Sequence, residues 1–335
     1  MHRHSRRPSD RTILVANDGA VANDGAVAND GAVASDGAVA NDGAAGHESR
    51  AASVVDYIGL TKPEIAFLVG ISSIAGFLSG ASPAIDWLAL GGVLAGTVLT
   101  SAGAGALNHY LERVHDARMH RTASRPLPSG RVSPLAAARF GFLLCAVGIA
   151  VLCPLTNWLT AALAILTVAL YLGVYTPLKR RTVHNTLVGT IPGALPVLGG
   201  YAAATGHIDT RGLAAFAVLV LWQLPHFYSL AWMYRKDYRR GGYAMLSVND
   251  ASGRITSLAA LASTVAMVAV TFAPTVWFGA TPAYAVAMAA LGLWILDAAI
   301  RFYRETSTTN ARNLLRRTVF YIPSYVLAII FDRML

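Results

Sequence analysis

Residues 108–131 read NHYLERVHDARMHRTASRPLPSGR and form a charged segment between two long apolar runs. Asn108, Glu112 and Asp116 are spaced four apart, so on a continuous helix they lie on one face, about one turn apart. Three oxygen-bearing side chains suit a hard cation such as Mg²⁺, which takes one or two carboxylates and completes its shell with water and phosphate oxygens. We call these three residues the polar ladder and predict that they form half of a metal-diphosphate site.

The polar ladder is followed closely by five arginines: Arg113, Arg118, Arg121, Arg125 and Arg131. Guanidinium groups bind phosphate in a forked geometry, so the segment predicts a cationic clamp beside the cation site. The alternative is that these groups only form salt bridges along a solvated helix face. The adjacent apolar run argues against that alternative, because ionisable groups at a bilayer edge are costly and usually functional.

The composition is that of a membrane protein. The 335 residues are 55% hydrophobic and only 13% charged, with a mean hydropathy of +0.48, whereas about a quarter of a soluble domain is charged. The net charge of +9 would suggest a nucleic-acid partner in a soluble protein, but here the position of the charges matters more, and we expect no nucleic acid. Cys145 and Cys153 fall in one apolar run and indicate neither a disulfide framework nor a thiolate metal site.

The first part of the chain is repetitive. Residues 15–44 are five consecutive hexads of the type VANDGA, rich in Gly, Asn and Asp and unable to bury a core. We predict a disordered tail over residues 1–53 and a membrane domain over residues 54–335. A Ca²⁺-binding β-helix is the alternative, but the glycine pattern of its nonapeptide repeat is absent.

The rest of the chain consists of apolar runs of about 20 residues, each able to cross a bilayer as a helix. The predicted fold class is therefore an all-α integral membrane protein, with helices over residues 64–81, 86–107, 135–153, 158–176, 186–204, 212–233, 256–275, 281–302 and 316–333. Pro192 and Pro196 are expected to interrupt the fifth span, which is tolerated when neighbouring helices satisfy the freed backbone.

Loop charges predict the orientation of the spans. Of the 27 Lys and Arg residues, 19 lie in or at the edges of the segments that follow spans two, four, six and eight. Only Arg211 and Arg333 follow the other spans. The rule that cytoplasmic loops are rich in Lys and Arg places the N-terminus, the polar ladder and the loop after span six in the cytoplasm.

A second charged cluster, RKDYRRGGYAML at residues 235–246, follows span six on the same predicted side. Its carboxylate, Asp237, follows Lys236 and faces the first cluster in this topology, where it can complete the coordination of a second Mg²⁺. The alternative for Asp237 is a surface salt bridge with its basic neighbours.

A third basic cluster lies in the short loop YTPLKRRTVHN at residues 175–185. Lys179, Arg180 and Arg181 suit phosphate, although three cations beside a membrane helix are also typical of an orientation or lipid-headgroup signal. Tyr175 and Thr176 offer hydroxyls to phosphate, and an interfacial tyrosine anchor is the equal alternative.

One histidine lies inside a predicted span. His226, in LWQLPHFYSLAW at residues 221–232, is a candidate base or ligand to an iron centre. A hydrogen bond to a neighbouring helix is the alternative. We assign no role to His109, His115 or His120 in the first cluster.

The three clusters in this order resemble the signature regions of the protohaem IX farnesyltransferase (haem O synthase) family, a branch of the intramembrane aromatic prenyltransferases. The quoted segments are residues 106–131, 175–201 and 222–246, and LTKPEIAFLVGISSIAGFL at residues 60–78 is similar to the family's first helix. The resemblance covers roughly residues 57–330.

The resemblance implies a nine-helix bundle around a central cavity, capped by cytoplasmic loops, in the bacterial inner membrane. The implied reaction transfers the farnesyl group of farnesyl diphosphate to a vinyl group of haem B with addition of water, giving haem O, with Mg²⁺ as cofactor. Membrane lipid and haem A synthase or terminal oxidase assembly are the implied partners. The alternative within the fold is prenylation of a phenolic or quinone precursor such as 4-hydroxybenzoate.

The resemblance also implies site residues. The catalytic and Mg²⁺-diphosphate positions are Asn108, Glu112, Asp116 and Asp237, with His226 as a further catalytic position, and the diphosphate-binding positions are Arg121, Arg125, Lys179, Arg180 and Lys236. His226 stands where the general prenyltransferases carry an acid, which points to a porphyrin acceptor. The chain departs from the family at Val114, where many members have aspartate, and at His109, where many have asparagine.

Two other classes of function are less compatible with the sequence. A cation transporter would place ionisable groups across the membrane depth, whereas here the acids and arginines gather at one face. A non-catalytic haem-binding assembly factor would not need the polar ladder.

Overall fold

The computed structural model describes residues 52–82 and 84–335, in which every regular element is helical. One element, Leu170–Tyr175, is a π-helix. The α-helices in chain order are α1 Val54–Leu60, α2 Pro63–Gly80, α3 Trp87–Asp116, α4 His120–Ala123, α5 Pro134–Leu155, α6 Trp158–Ala169, α7 Thr176–Leu178, α8 Asn185–Thr205, α9 Thr210–Met233, α10 Arg235–Arg240, α11 Leu246–Asn249, α12 Arg254–Val270, α13 Ala273–Trp277, α14 Pro282–Arg304 and α15 Thr308–Met334. The predicted tail, residues 1–53, lies outside the described residues except for its last two.

Within the described ranges, nine helical segments are long and apolar enough to cross a membrane. They correspond one to one to the predicted spans, which confirms the all-α, nine-span fold class. The second and ninth differ most from prediction, because α3 continues to Asp116 and α15 already begins at Thr308. The hydroxyl of Ser307 caps α15 by accepting from the Asn310 N–H at 3.2 Å, which starts this helix before its apolar run.

The outer surface of the bundle carries large apolar side chains. Trp87, Phe142 and Leu293 are 72%, 70% and 71% exposed. Apolar side chains of this size exposed to water would promote aggregation, whereas lipid chains can cover them in a bilayer. The exposed apolar surface agrees with helices that face a bilayer.

The helices α2 and α8 pack at very short distance because glycines meet at their crossing. A Cβ added to Gly76 would lie 1.8 Å from the carbonyl oxygen of Val197, and one added to Gly200 would lie 1.9 Å from that of Ser73. Small residues allow this close approach of backbones in membrane proteins.

The fifth span is continuous, contrary to the expected interruption. Pro192 and Pro196 both lie inside α8, and Gln223 of α9 donates to the Thr190 carbonyl beside them at 3.0 Å. The segment is therefore helical through both prolines, in contact with the neighbouring helix α9.

Successive spans run in opposite directions, so the loops gather at two ends. Lys62 before α2 contacts Asn108 near the end of α3, and Arg333 near the end of α15 contacts the carbonyls at the end of α2. We call the end with the short helices α1, α4, α10 and α11 the ladder end and the other the opposite end.

Candidate active site

The polar ladder lies on one face of α3 and is buried. Asn108, Glu112 and Asp116 are 0%, 7% and 1% exposed. The structure confirms that α3 continues through all three residues. Buried carboxylates require partners, because removing an ion from water without compensation is very costly.

Each ladder residue has one cationic partner, and each partner comes from a different segment. Lys62 donates to Asn108 Oδ1, Lys179 Nζ donates to Glu112 Oε1 and Oε2 at 3.0 and 3.2 Å, and Arg125 Nη1 donates to Asp116 Oδ2 at 2.8 Å. The loops around residues 62, 125 and 179 therefore converge on α3. Two of these partners, Lys179 and Arg125, are among the predicted diphosphate-binding residues.

Lys179 is held in place from two sides. Its ammonium lies 4.7 Å from the centre of the Tyr175 ring, and this ring has room only because residue 189 is glycine, where a Cβ would lie 2.5 Å from a ring carbon. Burial opposes the charge of Lys179, but the carboxylate of Glu112 outweighs it and raises the pKa of Lys179 well above its usual value. Lys179 is therefore a permanent cation in the site.

Lys62 is a site residue that the sequence reasoning missed. Its backbone is left-handed, with φ of 51°, the only positive φ of a non-glycine residue among residues 52–82 and 84–335. Desolvation, followed by the positive charge of Lys179, lowers the pKa of the Lys62 amine to about 7. The one available signal was a lone cation just before Pro63 at the start of the first span.

The π-helix links the fourth span to the polar ladder. Thr176 donates from Oγ1 to the Tyr171 carbonyl at 2.8 Å and accepts from Asn108 Nδ2 at 3.1 Å. The Thr176 hydroxyl, considered for phosphate, is therefore engaged in positioning Asn108. Single π-turns inside helices are frequent at functional sites.

Asp237 connects the second cluster to the first. It accepts from the backbone N–H of Arg121 at 3.2 Å and from Arg240 Nη1 at 3.4 Å. The Arg121 guanidinium lies over the Tyr234 ring, 5.1 Å from its centre. The predicted proximity of the two clusters is observed, with Asp237 holding α10 against α4 beside the buried ladder.

His115 joins three loops at the ladder end, although the sequence reasoning gave it no role. Its Nδ1 lies 2.9 Å from the carbonyl oxygen of Gly241, and its Nε2 lies 3.0 Å from Arg180 Nη1. Since a carbonyl and a guanidinium face the two nitrogens, Nδ1 donates and Nε2 accepts. The predicted residue Arg180 thus reaches the site through His115.

Two other side chains of the first and second clusters differ in exposure. His109 is 2% exposed, and in the part of the chain that the structure describes neither ring nitrogen has a hydrogen-bond partner. Lys236 is exposed on α10, and its role in diphosphate binding stays a prediction.

The contacts described for His226 are with residues outside the ladder. His226 stands seven residues before the end of α9 at Met233, about 10 Å along the helix axis. The Thr318 hydroxyl donates to the Leu315 carbonyl, so it accepts from His226 Nδ1, 2.9 Å away. The Trp222 ring lies tilted against the imidazole, with ring centres 5.4 Å apart. The imidazole therefore bonds a neighbouring helix through Nδ1 and keeps Nε2 for another partner.

The protein alone does not build a closed metal site. Among residues 52–82 and 84–335, no group of three or more His, Cys, Asp or Glu side chains lies close enough to hold a metal ion. Asn108, Glu112 and Asp116 nevertheless offer the oxygen donors that Mg²⁺ prefers when phosphate oxygens and water complete its shell. The donor set fits a metal that arrives with a diphosphate.

Comparison with known proteins assigns the family. Residues 69–322 match the UbiA prenyltransferase family. Protoheme IX farnesyltransferase of Salinibacter ruber (strain DSM 13855 / M31) is 50% identical over 277 residues, covering 83% of this chain and 98% of the relative. The enzyme of the same name from Solibacter usitatus (strain Ellin6076) is 40% identical over 287 residues, covering 83% and 98%.

Solved structures share the fold. A digeranylgeranylglyceryl phosphate synthase superposes with a TM-score of 0.69 at 17% identity, covering 84% of this chain and 98% of the other. A UbiA homologue from Aeropyrum pernix K1 superposes with a TM-score of 0.64 at 22% identity, covering 81% and 98%. The chain belongs to the UbiA prenyltransferase family and, within it, to the protoheme IX farnesyltransferases.

Proposed function

We propose that this protein converts haem B into haem O, by transferring the farnesyl group of farnesyl diphosphate to a haem vinyl group with addition of water. The observation that carries the proposal is the buried ladder of Asn108, Glu112 and Asp116, faced by three basic side chains from three segments. Burying such charged groups costs desolvation energy and adds little net stability. Positive charges around a departing diphosphate stabilise the negative charge that develops on it, so the cluster suits this chemistry. The high identity to protoheme IX farnesyltransferases supports the choice of acceptor.

Mg²⁺ is the proposed cofactor, held by the oxygens of Asn108, Glu112 and Asp116. When bound, it supplies positive charge that offsets the charge of the diphosphate. A UbiA homologue from Archaeoglobus fulgidus is bound to GPP and Mg²⁺, and its likeness to this chain, with a TM-score of 0.58 at 14% identity, concerns the fold.

The ion pairs seen here represent the resting state of the site in this proposal. Lys179 and Arg125 neutralise Glu112 and Asp116 while no substrate is bound. If Glu112 and Asp116 held Mg²⁺, Lys179 and Arg125 would be free to donate to phosphate oxygens. With this exchange of partners, every one of these buried charges has a partner both before and after the substrate binds.

The chemistry then follows from stabilised departure of the leaving group. The bond between farnesyl C1 and oxygen breaks, and its electron pair leaves with the diphosphate. The π electrons of the haem vinyl group form the new carbon–carbon bond. Water adds to the carbocation left on the other vinyl carbon and releases a proton. Preorganised cations around the diphosphate lower the barrier because they need no reorganisation as charge develops.

The location and partners are part of the proposal. The proposed location is the bacterial inner membrane, and the distribution of Lys and Arg supports placing the N-terminus and the ladder end in the cytoplasm. Haem A synthase and terminal oxidase assembly are the proposed consumers of the product.

The direct test uses membranes that contain the protein, incubated with haem B, farnesyl diphosphate and Mg²⁺. Mass spectrometry should detect haem carrying one farnesyl group plus water, and Glu112→Gln should abolish this product. Membranes that prenylate 4-hydroxybenzoate but leave haem B unchanged would contradict the proposed acceptor and favour a phenolic one.

A further inference from the structure

The segment between α10 and α11 carries a buried tyrosine whose polar group is unused. Tyr243 is 4% exposed, and its hydroxyl has no hydrogen-bond partner within the described residues. Buried hydroxyls in folded proteins almost always have a partner, so an exception calls for a physical reason. Tyr243 lies inside the second charged cluster, but the proposed reaction assigns it no role.

The backbone around Tyr243 is fixed from several sides. The N–H of Tyr243 donates to the Tyr238 carbonyl at 2.9 Å, and the N–H of Ala244 donates to the Lys179 carbonyl at 2.7 Å. Asn185 Nδ2 donates to the Ala244 carbonyl at 2.9 Å. The segment is thus attached to the loop that carries Lys179.

The ring of Tyr243 is also fixed. It lies edge-to-face with Tyr238 at 5.9 Å between centres and tilted on His115 at 5.8 Å, and it packs with Met119 and Met245. These contacts involve the ring alone. The packing of this residue therefore does not account for its hydroxyl.

The ring of Tyr243 contacts His115, which precedes Asp116 by one residue, and the adjacent Ala244 is hydrogen-bonded to Lys179, so the hydroxyl lies in the charged surroundings of the ladder. Its electrostatic neighbours are Glu112, Lys179 and Asp116. Burial is the main cause that raises the pKa of Tyr243 far above its usual value, and the negative charge of Glu112 is the next. The hydroxyl therefore keeps its proton and is a donor. Neither carboxylate accepts from it within the described residues, where Glu112 is paired with Lys179 and Asp116 with Arg125.

We propose that the Tyr243 hydroxyl donates a hydrogen bond to an oxygen of the substrate diphosphate and is a binding residue for the leaving group. The acceptor that this buried donor lacks arrives with the substrate. The inference rests on the proposed function, because it takes the polar ladder as the diphosphate site. The Tyr243 hydroxyl would add a hydrogen-bond donor from the second charged cluster to those around the ladder.

The test compares purified wild-type protein with Tyr243→Phe, which removes the hydroxyl and keeps the ring. Thermal unfolding is measured with no addition, with Mg²⁺ alone and with farnesyl diphosphate plus Mg²⁺. Without substrate, Y243F should be at least as stable as wild type, because it loses a buried group without a partner. The stabilisation by farnesyl diphosphate should shrink, and kcat/KM for this substrate should fall about 10- to 100-fold, as for a lost hydrogen bond to a charged group.

Tyr321→Phe is the matched control. The change removes the same hydroxyl, and Tyr321 is 0% exposed in the apolar core on α15. The response of the Tyr321→Phe variant to farnesyl diphosphate should equal that of wild type. If Y243F is less stable without substrate but responds to farnesyl diphosphate like wild type, the hydroxyl is structural and the inference fails. A wild-type protein that farnesyl diphosphate does not stabilise would instead overturn the proposed diphosphate site itself.

Discussion

The two ends of the bundle use charged side chains differently. At the ladder end, buried acids pair with basic side chains from outside α3, as Glu112 does with Lys179 and Asp116 with Arg125. At the opposite end, charged side chains complete the hydrogen bonding of helix termini. Three aspartates there accept from backbone N–H groups: Asp86 from Ala89, Asp209 from Arg211 and Gly212, and Asp332 from Thr281. Arg333 donates to the carbonyls of Leu78, Ala81 and Ser82.

The difference separates stabilising charges from functional ones. A helix terminus leaves backbone groups without partners, so a charged cap contributes directly to stability. A buried pair of side chains contributes little beyond an apolar pair of the same size. The ladder end also has a capping acid, Asp250, which accepts from Gly253 N and Thr256 N. The ladder acids Glu112 and Asp116 differ from Asp250 because their charges are paired with the side-chain cations Lys179 and Arg125.

The largest effect should come from separating the Glu112–Lys179 pair. Glu112→Gln should reduce farnesyl transfer by about 10²-fold or more and destabilise the protein by about 3–5 kcal/mol, because it leaves a buried ammonium without its carboxylate. Adding Lys179→Met should restore most of the stability, since the unpaired charge is removed, but none of the activity. Thermal unfolding and product formation measured on both variants check this, and recovery of activity in the double variant would show that the pair is structural.

A second large effect is expected at His226. His226→Phe should lower kcat for haem farnesylation by about 10²-fold, the scale of a lost proton-transfer group. Stabilisation by farnesyl diphosphate plus Mg²⁺ should stay as in wild type, because the imidazole contacts Thr318 and Trp222 rather than the ladder. The absorption spectrum of bound haem separates the two roles: it changes in the variant if His226 is an iron ligand and is unchanged if it acts on water. Loss of the diphosphate response would place His226 in the diphosphate site instead.

A smaller effect is expected at Lys62. Lys62→Met removes the donor to Asn108, and kcat/KM for farnesyl diphosphate should fall about tenfold, the scale of one charge-assisted hydrogen bond. Lys62→Arg should retain more activity because it keeps a donor and a charge. Steady-state kinetics with varied farnesyl diphosphate decide this, and equal activity of both variants and wild type would exclude Lys62 from the site.

The smallest effect on activity is expected at Arg333. Arg333→Gln removes charged donors to carbonyls at the end of α2 and should lower stability by about 1.5–3 kcal/mol. The kcat/KM for farnesyl diphosphate should stay within twofold of wild type at a temperature where both are folded. A large kinetic defect in the folded variant would abolish the distinction between the two ends.

Hydropathy and spacing predicted the nine spans and the polar ladder because both signals are local. An apolar run of about 20 residues needs no other part of the chain to be recognised. The four-residue spacing of Asn108, Glu112 and Asp116 likewise depends only on α3 being a helix. Both features lie on single, long elements.

The remaining features depend on how distant segments pack. Lys62 meets Asn108 from 46 positions away through a left-handed backbone, and His226 meets Thr318 from 92 positions away. Tyr243 resembles a loop tyrosine in the sequence, and only the fold packs it against His115 and joins its segment to Lys179. Such contacts are set by helix crossings and loop closure, which single-sequence patterns do not encode.

The most direct test of the exchange of ion pairs is a structure of the protein with Mg²⁺ and a non-hydrolysable farnesyl thiolodiphosphate. The account predicts the metal against Glu112 and Asp116, with Lys179 Nζ and the Arg125 guanidinium moved from these carboxylates to phosphate oxygens. A diphosphate bound elsewhere, with the Lys179–Glu112 and Arg125–Asp116 pairs as they are here, would contradict it.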